Sequence, residues 1–70
     1  MIEYGNLLID GISYVINTDM CNRWELLMFS TITGKEIRSY KTSSPTQICR
    51  KIAALSGIDI EIIASDLDFN

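Results

Sequence analysis

A two-residue turn, Asp10-Gly11, sits between two apolar runs, Leu7-Leu8-Ile9 and Ile12-Ser13-Tyr14-Val15-Ile16. A type I′ turn needs positive φ at both central residues, and Asp-Gly meets that requirement while matching the right-handed twist of the flanking strands. The spacing therefore predicts a tight antiparallel hairpin over residues 6–17. Counting outward from the turn, Ile9 opposes Ile12, Leu7 opposes Tyr14, and Ile16 continues the same face. Asn6, Leu8, Ser13 and Val15 fall on the other. One face is strongly apolar and the other mixed, so the hairpin should bury one side.

The rest of the chain extends this pattern. Residues 17–23 (NTDMCNR) are polar and turn-like. Residues 24–30 form a second β segment, continuously apolar from Leu26 to Phe29, as expected of a central strand or one covered on both faces. Thr33-Gly34-Lys35 predicts a three-residue loop with Gly34 in the left-handed region, returning into a fourth strand over 36–41. The register of that strand is open, because a slip of one residue would exchange the faces of Phe29, Ile37 and Tyr40. Ser44-Pro45-Thr46-Gln47 has the residues of a capping box with proline in the first turn. Ile48, Ile52 and Leu55 make an apolar stripe flanked by Cys49, with Arg50 and Lys51 off it, and Gly57 suits a left-handed C-terminal cap. The helix is expected over residues 45–56. In 58–64, Ile58, Ile60 and Ile62 alternate with Asp59 and Glu61, which favours a last strand over a short second helix. Residues 65–70 read as a loop or frayed tail. The expected architecture is a single α+β domain over 1–70. It has an antiparallel sheet of four to five strands (two hairpins, then a helix and a possible last strand) and one helix packed on one face.

Several kinds of chemistry are excluded by residue type. The 70 residues contain no histidine, so Ser-His and Cys-His nucleophiles are absent. Cys21 and Cys49 lack the spacing of a zinc site or a disulfide scaffold. Asp66 and Asp68 do not have the pattern of a calcium loop. The four glycines take turn or cap positions and form no phosphate loop. Cys49 beside Arg50 and Lys51 is expected to be a small, half-buried apolar residue. No catalytic residue, metal, cofactor or small-molecule substrate is expected. The start Met1-Ile2-Glu3-Tyr4 is not that of a signal peptide, and no apolar run approaches the roughly 20 residues of a membrane span. The expectation is a non-enzymatic cytoplasmic protein with reduced thiols.

Charge is segregated along the chain. Residues 1–22 carry Glu3, Asp10 and Asp19 and no base. All six bases lie within 23–51, against Glu25 and Glu36. Residues 52–70 carry Asp59, Glu61, Asp66 and Asp68 and again no base. The net charge of -3 thus conceals a basic centre between acidic ends. Three binding readings follow. The leading one is a small binding or regulatory module acting through protein contacts or self-association, since the run from Leu26 to Phe29 holds more apolar surface than one small core needs. The second is nucleic-acid binding by the sheet, with Trp24, Lys35, Arg38, Tyr40 and Lys41 as the candidate macromolecule-binding residues and Glu36 on the face of Arg38 and Tyr40. The bland account of the same residues is that Trp24 and Tyr40 close the core rim while Arg38 and Lys41 keep an edge strand soluble. The third is a mobile-element protein that inhibits host nucleic-acid machinery through its acidic end.

Three segments resemble parts of known modules. Thr31-Ile32-Thr33-Gly34-Lys35, a strand, the helix with Ile48 and Ile52, and Gly57-Ile58 resemble the first half of ubiquitin-like β-grasp domains. The extra N-terminal hairpin and the missing diglycine tail depart from that pattern, and conjugation is not implied. Trp24, the Gly34-Lys35 turn, Tyr40 and a capped helix resemble β-β-β-α DNA-binding domains, which would put Trp24 and Arg38 on DNA. Thr42-Ser43-Ser44-Pro45-Thr46 resembles a helix start in a small domain found beside restriction and methylation enzymes. Each covers fewer than half of the residues with common turn and cap signals, and none defines a family.

Overall fold

A computed structural model describes residues 1–69. The strands β1 (Ile2–Ile9), β2 (Ile12–Thr18), β3 (Trp24–Ser30) and β4 (Glu36–Thr42) form one antiparallel sheet in the order β1-β2-β3-β4. The helices α1 (Pro45–Ser56) and α2 (Ile60–Asp66) follow. The first turn is as expected: Asp10 has φ 51° and Gly11 φ 79°. Ile9 faces Ile12 and Leu7 faces Tyr14. Gly34 is left-handed at φ 73°. The β3–β4 connection is longer than the expected three residues, however, spanning 31–35. It is held by the Gly34 amide donating to the Ser30 carbonyl at 2.8 Å, while the Thr31 hydroxyl donates to the Gly11 carbonyl at 2.8 Å and ties this loop to the first turn.

Each edge strand contains a bulge. Glu3 pairs with Asn17 and Gly5 with Ile16, leaving Tyr4 as the extra residue of β1. Phe29 pairs with Glu36 and Met28 with Arg38, leaving Ile37 as the extra residue of β4. Extra residues of this kind twist a strand and spoil its free edge as a pairing template.

Both helices lie over one face of the sheet. That face contributes Tyr14 and Ile16 from β2 and Trp24, Leu26 and Met28 from β3, packed with Ile48, Cys49 and Ile52 of α1 and with Ile63 and Leu67. α1 rests on β3 and β4 and contacts α2. It begins as expected with Pro45 in the first turn and ends at Gly57, φ 78°. The Ser44 side chain makes no cap hydrogen bond and its amide donates to the Thr42 hydroxyl at 3.3 Å, so the expected capping box does not form; the Ser44 carbonyl instead accepts the Gln47 amide at 3.1 Å.

The possible last strand over 58–64 is replaced by α2. Ile60, Ile63, Ala64 and Leu67 follow helical spacing and all pack on the core, and Asp59 caps the helix by accepting from the Glu61 amide at 2.8 Å. Five alternating residues read as a strand, but the pattern over eight is helical. A fifth strand would also have to pair along an edge interrupted by a bulge. The expected loose segment 65–70 is likewise docked over its described part. Leu67 is buried, its carbonyl accepts the Tyr4 hydroxyl at 2.7 Å, and Phe69 stacks on Tyr4 at 4.8 Å. Asn70 lies outside the described residues.

Candidate functional site

The five candidate binding residues do not converge on one surface. Trp24 is 8% exposed and belongs to the core. Its ring meets Tyr4 at 5.2 Å and Phe69 at 5.4 Å, both in edge-to-face pairs, so it is engaged in an aromatic cluster of the core. Arg38 and Tyr40 pair with Met28 and Leu26 and therefore share the helix-side face. Arg38 is exposed, and half-buried Tyr40 has the Lys51 ammonium 5.0 Å from its ring centroid. Lys41 pairs with Glu25 on the opposite face. Glu36, expected beside Arg38, is moved to that opposite face by the bulge and pairs with Phe29. Lys35 is exposed in the loop before β4. A groove of about 570 Å³ brings the edge of Trp24 near Lys41, with Arg23, Glu25, Thr42 and Ser43 among its lining. Its charges are mixed.

The second face of the sheet has the more unusual composition. Among the described residues no element covers it, because both helices pack on the other side. Pairing parity assigns its residues in three rows. The first is Glu3, Asn17, Glu25 and Lys41; the second is Asn6, Val15, Leu27 and Ser39; the third is Leu8, Ser13, Phe29 and Glu36. Leu8 is 70% exposed, and Val15, Leu27 and Phe29 are half-buried in a single-layer surface. The Asn6 amide donates to the Glu3 carboxylate at 3.3 Å, consistent with both lying on this face across the β1 bulge. The sequence pointed here through the run Leu26–Phe29 and the placement of Leu8 and Val15 opposite Leu7 and Tyr14. It did not show that the face is left uncovered, since that depends on the side to which α2 returns.

The remaining polar features are structural. Asp19 accepts the amides of Cys21 at 2.8 Å and Arg23 at 3.0 Å, and these bonds hold its carboxyl below the ordinary value of 3.8. Buried Thr18 accepts the Met20 amide and donates to the Arg23 carbonyl, both at 2.9 Å. Burial raises the Cys49 thiol above its ordinary 9.0, which keeps it protonated, whereas Cys21 is exposed. Among the acids of the C-terminal segment, Asp59 is used as the α2 cap. Among the described residues no helix is long and apolar enough to cross a membrane, and no three His, Cys, Asp or Glu side chains gather to hold a metal. The class defined by this geometry is a small α+β domain with one covered and one open sheet face. Compared with protein families, with curated proteins and with solved structures, the chain matches none.

Proposed function

We propose that this chain is a non-catalytic binding module that makes protein contacts through the open face of its sheet. The observation that supports this reading is the apolar patch on the two inner strands of that face, Val15, Leu27 and Phe29, with exposed Leu8 at one corner and charged residues at the other three. An apolar centre inside a polar rim is the usual anatomy of a protein interface. Nothing on the face resembles a reaction centre, and its one cation, Lys41, is outnumbered by Glu3, Glu25 and Glu36. The nucleic-acid alternative rests on Lys35, Arg38 and Lys41, which are exposed but divided between a loop and two faces. Retention of a labelled duplex at low salt, lost in the Arg38→Glu/Lys41→Glu double variant, would favour that alternative.

A photo-reactive benzoylphenylalanine in place of Phe29, expressed in the native host, tests the protein-contact reading. Covalent adducts to protein are expected, and Leu8→Glu in the same chain should suppress them. No adduct at Phe29, with a matched probe at the helix-side residue Arg38 equally silent or more reactive, would sink the reading.

A further inference from the structure

We propose that the occupant of the open face is a second copy of this chain, packed sheet on sheet about a two-fold axis lying between the layers. This rests on the protein-contact reading above and names its partner. The first argument is charge placement. Lys41 stands at one corner of the face, Glu36 at the other end of the same strand, and Glu3 at the same end of the opposite edge strand. Aligned sheets packed face to face allow two such axes. An axis along the strands lays β1 over the partner's β4, so Lys41 meets a partner Glu3. An axis across the strands exchanges the two ends, so Lys41 meets a partner Glu36. Both arrangements place the one cation of the face over an acid, twice per dimer. Lys41 also has Glu25 beside it in its own sheet, leaving that acid partly compensated before association.

The apolar centre obeys the same symmetry. With the axis along the strands, Val15 packs on a partner Leu27 and Phe29 on a partner Ser13; with the axis across them, Val15 and Leu27 each meet their own copies and Phe29 meets a partner Glu25, so apolar contact favours the axis along the strands. Leu8 meets an acid in both, Glu36 or Glu3. Extent is the second argument. Four strands of about seven residues present roughly 20 Å by 24 Å, so a dimer buries on the order of 1,000 Å² in all, at the lower bound of a specific interface. The monomer is thin, 32 × 25 × 15 Å, with one sheet and one helical layer. Pairing gives a helix-sheet-sheet-helix sandwich with two covered faces per sheet.

Sedimentation velocity on the purified chain, from about 1 µM to about 1 mM, reads the association directly. The expected result is a concentration-dependent shift from monomer to dimer. Leu8→Glu should weaken it at least tenfold, and Leu8→Lys should leave it equal or stronger, because that position faces an acid under either axis. Leu8 is 70% exposed, so both variants should fold, which circular dichroism checks. Lys41→Glu should weaken association about tenfold. Adding Glu3→Lys restores it if the axis runs along the strands, and adding Glu36→Lys restores it if the axis runs across them. A monomer at about 1 mM, a dimer indifferent to Leu8→Glu, or equal effects of Leu8→Glu and Leu8→Lys would each overturn the proposal. A monomer whose Phe29 probe still labels another protein overturns self-pairing and leaves the protein-contact reading standing. A monomer with no adduct removes both.

Discussion

Cys21 and Cys49 show how far identical side chains diverge under different surroundings. Cys49 lies between α1 and the sheet with its thiol held protonated by burial, and Cys21 lies in the exposed β2–β3 loop. In native protein, iodoacetamide should modify Cys21 alone, with Cys49 reacting only after denaturation; mass spectrometry of the intact chain separates the outcomes. Asp19 organises the same loop as a carboxylate. Its proton affinity is lowered on folding by the amides of Cys21 and Arg23, so its contribution to stability is present above the ordinary aspartate value of 3.8 and fades as pH falls through the lower folded value. Asp19→Asn should therefore flatten the loss of stability below about pH 4, measured by urea unfolding at stepped pH. The sequence marked 17–23 as polar and turn-like. It did not mark Asp19 as the organiser, because the acceptor geometry requires the left-handed Met20, φ 63°, between Asp19 and its first partner Cys21.

The first hairpin and α1 follow from their own residues, since a turn type and a heptad-scale stripe act locally. The ends of the two helices show where such local rules fail. The Ser44-to-Gln47 pattern suggested a side-chain cap, but the Ser44 hydroxyl makes none, and α1 relies on Pro45 and on the Gln47 amide donating to the Ser44 carbonyl at 3.1 Å. Asp59, in a segment that alternates like a strand, does make the cap of α2. Ser44→Ala should consequently cost only a few tenths of a kcal/mol, and Asp59→Ala about 1 kcal/mol, by chemical denaturation. The strand reading of 58–64 failed because five alternating residues satisfy both periods, and tertiary packing of Ile63 and Leu67 decides between them. The register of β4 was illegible for a related reason. Nothing in Glu36-Ile37-Arg38 announces a bulge, and that one extra residue moves Glu36 away from Arg38 and so disperses the candidate cationic surface. The open face was half legible: its residues could be assigned from hairpin parity, but its lack of cover follows from the return path of α2.

At the scale of the whole molecule, the core is completed by residues distant in the chain. Tyr4, Trp24 and Phe69 pack mutually, and the Tyr4 hydroxyl bonds the Leu67 carbonyl across 63 positions. Phe69→Ala should remove about 2 kcal/mol, a large share for a domain of this size, and increase the fluorescence response of Trp24 to added quencher. The meander itself is built from hairpins whose partners lie close in sequence, whereas the aromatic corner must wait for a loop spanning almost the entire chain to close. Sheet formation should thus precede docking of α2, and opening should begin there. Amides of α2 would exchange with solvent by local detachment while those of β2 and β3 wait for global unfolding. Until α2 and Phe69 arrive, a nascent copy displays apolar surface on both sides of its sheet, making the interval before that arrival a period of vulnerability to aggregation.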